Sequence, residues 1–320
     1  MIDMPLNALR EYKGTNPCPA DFNEFWDKAI EKMHNVNPNI SLTESDFKCS
    51  FADCYDLYFT GVGNARVYAK ILKPKHIKEN VPVIMTFHGH HGNSGDWSDK
   101  LNFVAAGFIV AAMDCRGQAG KSVDTGSETG TGMYGTFGRG LDKEPEELLM
   151  HKIFLDAAEL ANILIDMPEV DKNRIYAWGG SQGAALTVAV AALEPRVSKI
   201  AIQYPFLSDY KRVWEMNYDY GDYDDIAKFL RSYDPLHKKQ DEIFTKLGYI
   251  DVHNMATRVQ AKTLMAISMM DTVCPPSTQF AVYNNLNCEK ELELYYDYGH
   301  ELYLPGFPDR IFNFLTGSEK

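Results

Sequence analysis

Residues 177 to 186 read AWGGSQGAAL, with a serine set among glycines. Gly179-Gly180-Ser181-Gln182-Gly183 fits G-x-S-x-G, the spacing of a nucleophile elbow, in which a strand turns sharply into a helix with the serine at its tip. Glycines flank the serine because the backbone there is strained and neighbouring segments pass close. The context agrees: the apolar RIYAWGG precedes Ser181 and the Ala-rich QGAALTVAVAALE follows. The plainer reading is an ordinary serine in a turn of small residues. A serine hydroxyl is a weak nucleophile near neutral pH and needs a base to take its proton.

Where this elbow is used, the chain order is Ser, then acid, then His. Three histidines follow Ser181: His237, His253 and His300. His237 lies in PLHKKQDE, which reads as solvated surface, and His253 in DVHNMATRV, which reads as a capping or surface residue. His300 ends LELYYDYGH, a strand leading through Gly299 into a loop, where a base can hang over the strand ends. The acid is expected after the preceding strand. LMAISMMD ends in Asp271 and TVCPP breaks the chain at once. A carboxylate there can hold the imidazole in the tautomer that accepts the serine proton. Its plainer role is to cap the helix after Pro275 and Pro276. Asp297 is the rival acid, but three residues before His300 it is poorly placed to reach around the ring.

Acyl transfer also needs donors for the developing oxyanion. The backbone N–H of Gln182 is one. The other is expected after VIMTFHG, in His88-Gly89-His90-His91-Gly92, from the backbone of His90. Imidazoles at that spacing also raise a zinc reading. No carboxylate or cysteine set nearby in the sequence completes a site, so no metal is expected.

These residues must be positioned by strands and helices. PCPADFNEFWDKAIEKM has helical spacing, with Asp21 or Asn23 able to cap it. DLYFTGV and ARVYAKILKP alternate as antiparallel strands do. After Asn80 the pattern changes to continuous apolar runs, VPVIMTFHG and FIVAAMD among them, alternating with helical stretches such as GDWSDKLNFVAAG and EPEELLMHKIFLDAAELANILIDM. Buried parallel strands read this way, so the expected fold class is α/β, a mostly parallel central sheet flanked by helices on both faces. One domain over residues 1–320 is expected, with a helical and antiparallel extension over about 1–78. Residues 117–140, rich in Gly, Ser and Thr, form a loop long enough to be functional or interfacial, a plain surface loop being the other reading.

The 320 residues carry a formal net charge of -12. Nucleic acid and anionic membrane would both repel such a chain, and neither is expected as a partner. No signal peptide and no uninterrupted apolar run of membrane-spanning length is visible. The six cysteines show no C-x-x-C pair, which favours reduced thiols and a cytoplasmic location.

Arg116-Gly117-Gln118, GGSQG at 179–183 and His300-Glu301 together resemble the signature of the acetyl xylan esterase and cephalosporin C deacetylase family, carbohydrate esterase family seven. PLNALREYKGTNPCPADFNEFWD and DTVCPPSTQFAVYN resemble it too, so the likeness runs along nearly the whole chain. The resemblance implies an α/β-hydrolase fold, no metal or other cofactor, and a triad of Ser181, Asp271 and His300. It implies removal of acetyl groups from short oligosaccharides and from cephalosporin C, with a small acetylated saccharide or related ester as partner. It also implies an intracellular homohexamer, in which residues 117–140 would supply subunit contacts. The family commonly has tyrosine where this chain has His90. A backbone donor survives that change, while the side chain beside the ester differs. Arg116, Gln118 and Glu301 are read as supports around the triad, with Glu301 as the charge partner of Arg116.

Overall fold

The computed structural model describes residues 2–126, 129–130, 133–218 and 221–317; positions 127, 128, 131 and 132 of the long loop lie outside the described residues. Nine strands form one sheet: β1 Ser41–Glu44, β2 Ala52–Thr60, β3 Arg66–Pro74, β4 Val81–Phe87, β5 Ile109–Met113, β6 Val170–Gly180, β7 Val197–Gln203, β8 Lys262–Ser268 and β9 Lys290–Tyr295. Their order is β1-β2-β3-β5-β4-β6-β7-β8-β9. The first three strands and the β3–β5 pair are antiparallel. From β5 to β9 every pair is parallel. This is the α/β-hydrolase arrangement that the resemblance implies.

The patterns explain the placement. β5 is buried at every position and β4 at five of seven, as continuous apolar runs require in a sheet covered on both sides. Helices Leu149–Ile165 and Gln182–Leu193 pack on each other on one face. Helices Leu101–Ala105 and Phe307–Thr316 lie on the other, where Phe103 stacks on Phe312. Every residue of Gln182–Leu193 is buried. Its small side chains let it press between the sheet and the Leu149–Ile165 helix. The N-terminal helix Phe22–His34 packs outside Leu149–Ile165 through Trp26 and Phe154.

Some local expectations differ from the structure. β1 was not foreseen, because SLTE is short, polar and mostly exposed at the sheet edge. The long helix begins at Leu149 rather than near Glu144, since Leu148 has an extended ψ of 130° after a single 3-10 turn. Asp21 sits at the helix N-cap position without a side-chain cap bond and accepts instead from the Tyr249 hydroxyl. His253 is buried rather than at the surface. No described helix is long and apolar enough to cross a membrane.

Candidate active site

β6 ends at Gly180 and the next helix starts at Gln182, leaving Ser181 alone at the corner with φ 56° and ψ -122°. A non-glycine residue in that region costs about 1–3 kcal/mol, which the surrounding packing must supply. The Ser181 N–H donates to the Gln203 carbonyl on β7, and the Ser181 carbonyl accepts from Ala184, Ala185 and Phe206. The corner is this tight because Gly183 touches β4: a Cβ there would stand 2.1 Å from the Phe87 carbonyl oxygen. A Cβ on Gly179 would meet the Gly183 backbone at 2.5 Å.

Three side chains distant in sequence meet at the ends of β6, β8 and β9. His300 Nε2 lies 3.0 Å from Ser181 Oγ, and His300 Nδ1 lies 2.7 Å from Asp271 Oδ2. Asp271 is fully buried, and its other oxygen accepts the N–H groups of Val273 and Cys274 at 2.8 Å each. The carboxylate is therefore aimed by the tight turn after β8. It does not cap the following helix, whose N-cap position is Pro275. Asp297 is exposed on the turn after β9 and is not in the cluster. The arrangement can pass a proton from the serine to the imidazole while the buried carboxylate balances imidazolium.

The two backbone groups expected to meet an oxyanion lie on the turn after β4 and at the elbow. The N–H of Gln182 is the first of its helix, where no carbonyl lies one turn back to receive it. The turn after β4 closes through Gly92 N–H to the Gly89 carbonyl and carries His90, with His91 at φ 59°. Gln118 joins the two halves. Its amide pairs with the Gln182 amide in both directions, at 2.9 and 3.1 Å, and its oxygen also accepts the His91 N–H at 2.9 Å. His88 points inward: Cys115 N–H donates to His88 Nε2, so the ring proton sits on Nδ1 and points to the Gly89 carbonyl.

Arg116 is buried, but its partner is not Glu301. Its Nε and Nη2 form a fork on Asp156 of the long helix, with Nε to Oδ2 at 2.6 Å, and Nη1 donates to the Val62 carbonyl. Asp124 stands at 3.7 Å. Glu301 is exposed, and it is its carbonyl that engages the site, by accepting the Tyr204 hydroxyl at 2.7 Å. Arg116 leaves β5 toward the face covered by the Leu149–Ile165 helix, and Asp156 is the carboxylate there.

Two contributors were not anticipated. The Tyr204 ring packs on His300 with centroids 4.5 Å apart, and Gln203 donates to the Tyr204 hydroxyl. The strand ending IQYP carried no sign of this beyond its position after β7. Asp222 was missed as well. The reading that no carboxylate lies near the histidine turn holds only along the sequence. In the fold Asp222, 132 positions away, brings Oδ1 to 3.0 Å from His90 Nδ1, while His90 Nε2 is 2.9 Å from Thr136 Oγ1.

The family model described as Acetyl xylan esterase (AXE1) matches residues 1–318. Acetyl xylan esterase 1 from Thermoanaerobacterium sp. JW/SL YS485 superimposes with a TM-score of 0.96 at 52% identity, covering 99% of this chain and 100% of that one. The acetyl xylan esterase from Paenibacillus sp. R4 gives 0.93 at 33% identity, covering 98% and 99%. Among curated proteins, acetyl esterase Axe7A of Xylanibacter ruminicola is 25% identical over 279 residues, 85% of this chain. The chain spans 61% of that relative's length. One family accounts for the sequence from end to end and for the path of the backbone: this chain belongs to the acetyl xylan esterase family.

Proposed function

We propose that this chain is a serine esterase that removes acetyl groups from short acetylated oligosaccharides, as an acetyl xylan esterase does, and from cephalosporin C. His300 takes the proton of Ser181 as the serine oxygen attacks the acetyl carbonyl. The N–H groups of Gln182 and His90 hold the oxyanion. His300 then gives its proton to the departing sugar alcohol. Water, activated by the same imidazole, hydrolyses the acetyl-enzyme and releases acetate. Asp271 holds the ring in place and balances its charge. Gln118 keeps the two oxyanion donors in register, and Arg116 ties the loop after β5 to the long helix. Glu301 supports the His300 loop through its carbonyl.

The observation that carries this reading is the unbroken chain from Ser181 Oγ through His300 to Asp271, at 3.0 and 2.7 Å. The family membership supports the acetyl ester as substrate class. The test is acetate release from a panel of acetylated xylo-oligosaccharides, other acetylated sugars, cephalosporin C and longer acyl esters. Rapid turnover of acetyl esters that Ser181→Ala abolishes is expected. Preference for long acyl chains would move the chain to another esterase class. Labelling of the wild-type chain but not Ser181→Ala by a serine-directed phosphonate separates an enzyme from a binding protein on the same fold. We also propose a cytoplasmic homohexamer formed by one continuous domain, with residues 117–140 contributing subunit contacts; light scattering after size exclusion tests the assembly.

A further inference from the structure

The imidazole side chains of the turn after β4 have no part in the acyl transfer above, which uses only the His90 N–H. Yet they are closely grouped with a carboxylate. The donor atoms of His90, His91 and Asp222 all lie within 4.8 Å of one another. We propose that these three side chains form a binding site for a borderline divalent cation, Zn2+ foremost, beside the oxyanion turn.

The distances favour it. Two ligands each about 2.0–2.1 Å from a tetrahedral zinc stand about 3.3 Å apart. His90 Nδ1 and Asp222 Oδ1 are 3.0 Å apart, so a shift of a few tenths of an ångström admits the ion. Side chains of adjacent residues ordinarily diverge. Here His91 takes φ 59° and its ring lies on that of His90, with centroids 3.8 Å apart and planes at 28°. That keeps a His91 nitrogen within 4.8 Å of the first two donors, and the exposed His91 ring must turn out of the stack to aim its in-plane lone pair at the ion.

The surroundings suit a metal ligand. A ligating imidazole uses one nitrogen for the ion and gives the other N–H to an acceptor that fixes the ring. His90 Nε2 faces Thr136 Oγ1 at 2.9 Å, which leaves Nδ1 for the ion. The His90 side chain is 7% exposed and that of Asp222 41%, so the site has a fixed floor and an open mouth. Two imidazoles and one carboxylate suit Zn2+ and its neighbours in the first transition row, whereas Mg2+ and Ca2+ prefer oxygen donors throughout. Three protein ligands leave the fourth position to water.

Asp271, Cys274 and His300 meet the same distance condition among the described residues. There the Asp271 oxygens are engaged by backbone N–H groups and by His300, and Cys274 is fully buried. The test must separate the two groups. The chain is stripped with a chelator, then titrated with zinc chloride in competition with a chromophoric zinc indicator. One equivalent bound at micromolar strength is expected. His91→Ala and Asp222→Asn should each weaken binding at least about tenfold, and His300→Ala should leave it unchanged. Cobalt substitution should give visible absorption in the wild type that His91→Ala removes. Far-ultraviolet circular dichroism confirms that each variant is folded. No stoichiometric binding, or binding that survives both substitutions and disappears in His300→Ala, overturns the proposal. The readout is binding, so it stands or falls apart from the esterase reading.

Discussion

Two imidazoles in this chain lean on buried carboxylates at the same distance. His300 Nδ1 is 2.7 Å from Asp271, and His253 Nδ1 is 2.7 Å from Asp251. Each carboxylate is fully buried and held by backbone N–H groups, Asp271 by Val273 and Cys274, Asp251 by Asp209 and His253. The far side of the ring differs. His300 turns Nε2 to Ser181 Oγ, with 22% of its side chain exposed. His253 is 5% exposed and faces the bend at Gly14, where a Cβ would lie 3.0 Å from its Nε2. Next to it Asp209 accepts from Tyr12, Thr15 and Asn16 and donates its N–H to Asp251, so this second pair fastens the N-terminal arm. On the proposed function, an aspartate–histidine pair serves chemistry or carpentry according to what meets the other nitrogen.

The comparison breaks most sharply at the serine. Ser181→Ala and His300→Ala should each lower kcat/KM by about 10⁴-fold or more with the fold intact, by analogy with other triads. Steady-state acetate release checks this; retention of most activity by Ser181→Ala ends the triad reading.

The carboxylates come next. Asp271→Asn should cost roughly 10³–10⁴ in kcat, because the amide no longer fixes the productive tautomer. Asp251→Asn should leave kcat near that of the wild type at moderate temperature. It should lower unfolding free energy by roughly 3 kcal/mol, since it breaks a buried pair. Denaturant titration beside acetate release separates the two. Equal activity losses in both variants would dissolve the distinction.

pH sharpens the same contrast. Burial pulls the His253 imidazolium down, but the charge and hydrogen bond of Asp251, with Asp209 nearby, hold its pKa above the ordinary histidine value. The folded state therefore binds the proton more tightly than the unfolded chain. This contribution to stability is complete below the unfolded pKa of about 6.5, and it fades as pH rises through the higher folded value. The stability advantage of wild type over His253→Gln should shrink as pH is raised from about 6 upward. An advantage that grows with pH would show the buried ring to be neutral.

The places of His300 and Asp271 were legible because each follows a strand, Asp271 after the apolar LMAISMM and His300 after LELYY through Gly299, where loops hang over the sheet's end. The place of Ser181 was legible because its flanking glycines, its strand and its helix are all written between residues 174 and 194. His253 was misjudged for the opposite reason: DVHNMATRV has no apolar run, and its burial comes from an arm over 230 residues away. Asp156 and Asp222 were illegible on the same ground. Their partners Arg116 and His90 lie 40 and 132 positions off, and local pattern holds no record of which carboxylate a fold will bring across. β1 joins by register with β2, Leu42 opposite Leu57, rather than by any periodicity of its own.

The smallest expected effect concerns how each ring is braced. His253 sits within the short helix Val252–Met255. His300 lies in a loop, braced by the Tyr204 ring at 4.5 Å and by the Tyr204 hydroxyl on the Glu301 carbonyl at 2.7 Å. Burial raises the Tyr204 pKa, so the hydroxyl stays protonated and donates. Tyr204→Phe keeps the ring and removes that bond, worth about 1 kcal/mol net. It also takes an acceptor from Gln203. A fall in kcat of several-fold with KM unchanged is expected, because the imidazole then spends less time aligned with Ser181. Tyr204→Leu removes the packing too and should cost more. A loss in Tyr204→Phe as large as that of His300→Ala would mean the hydroxyl takes part in the proton transfer, and the brace would have to be redrawn as a fourth member of the relay.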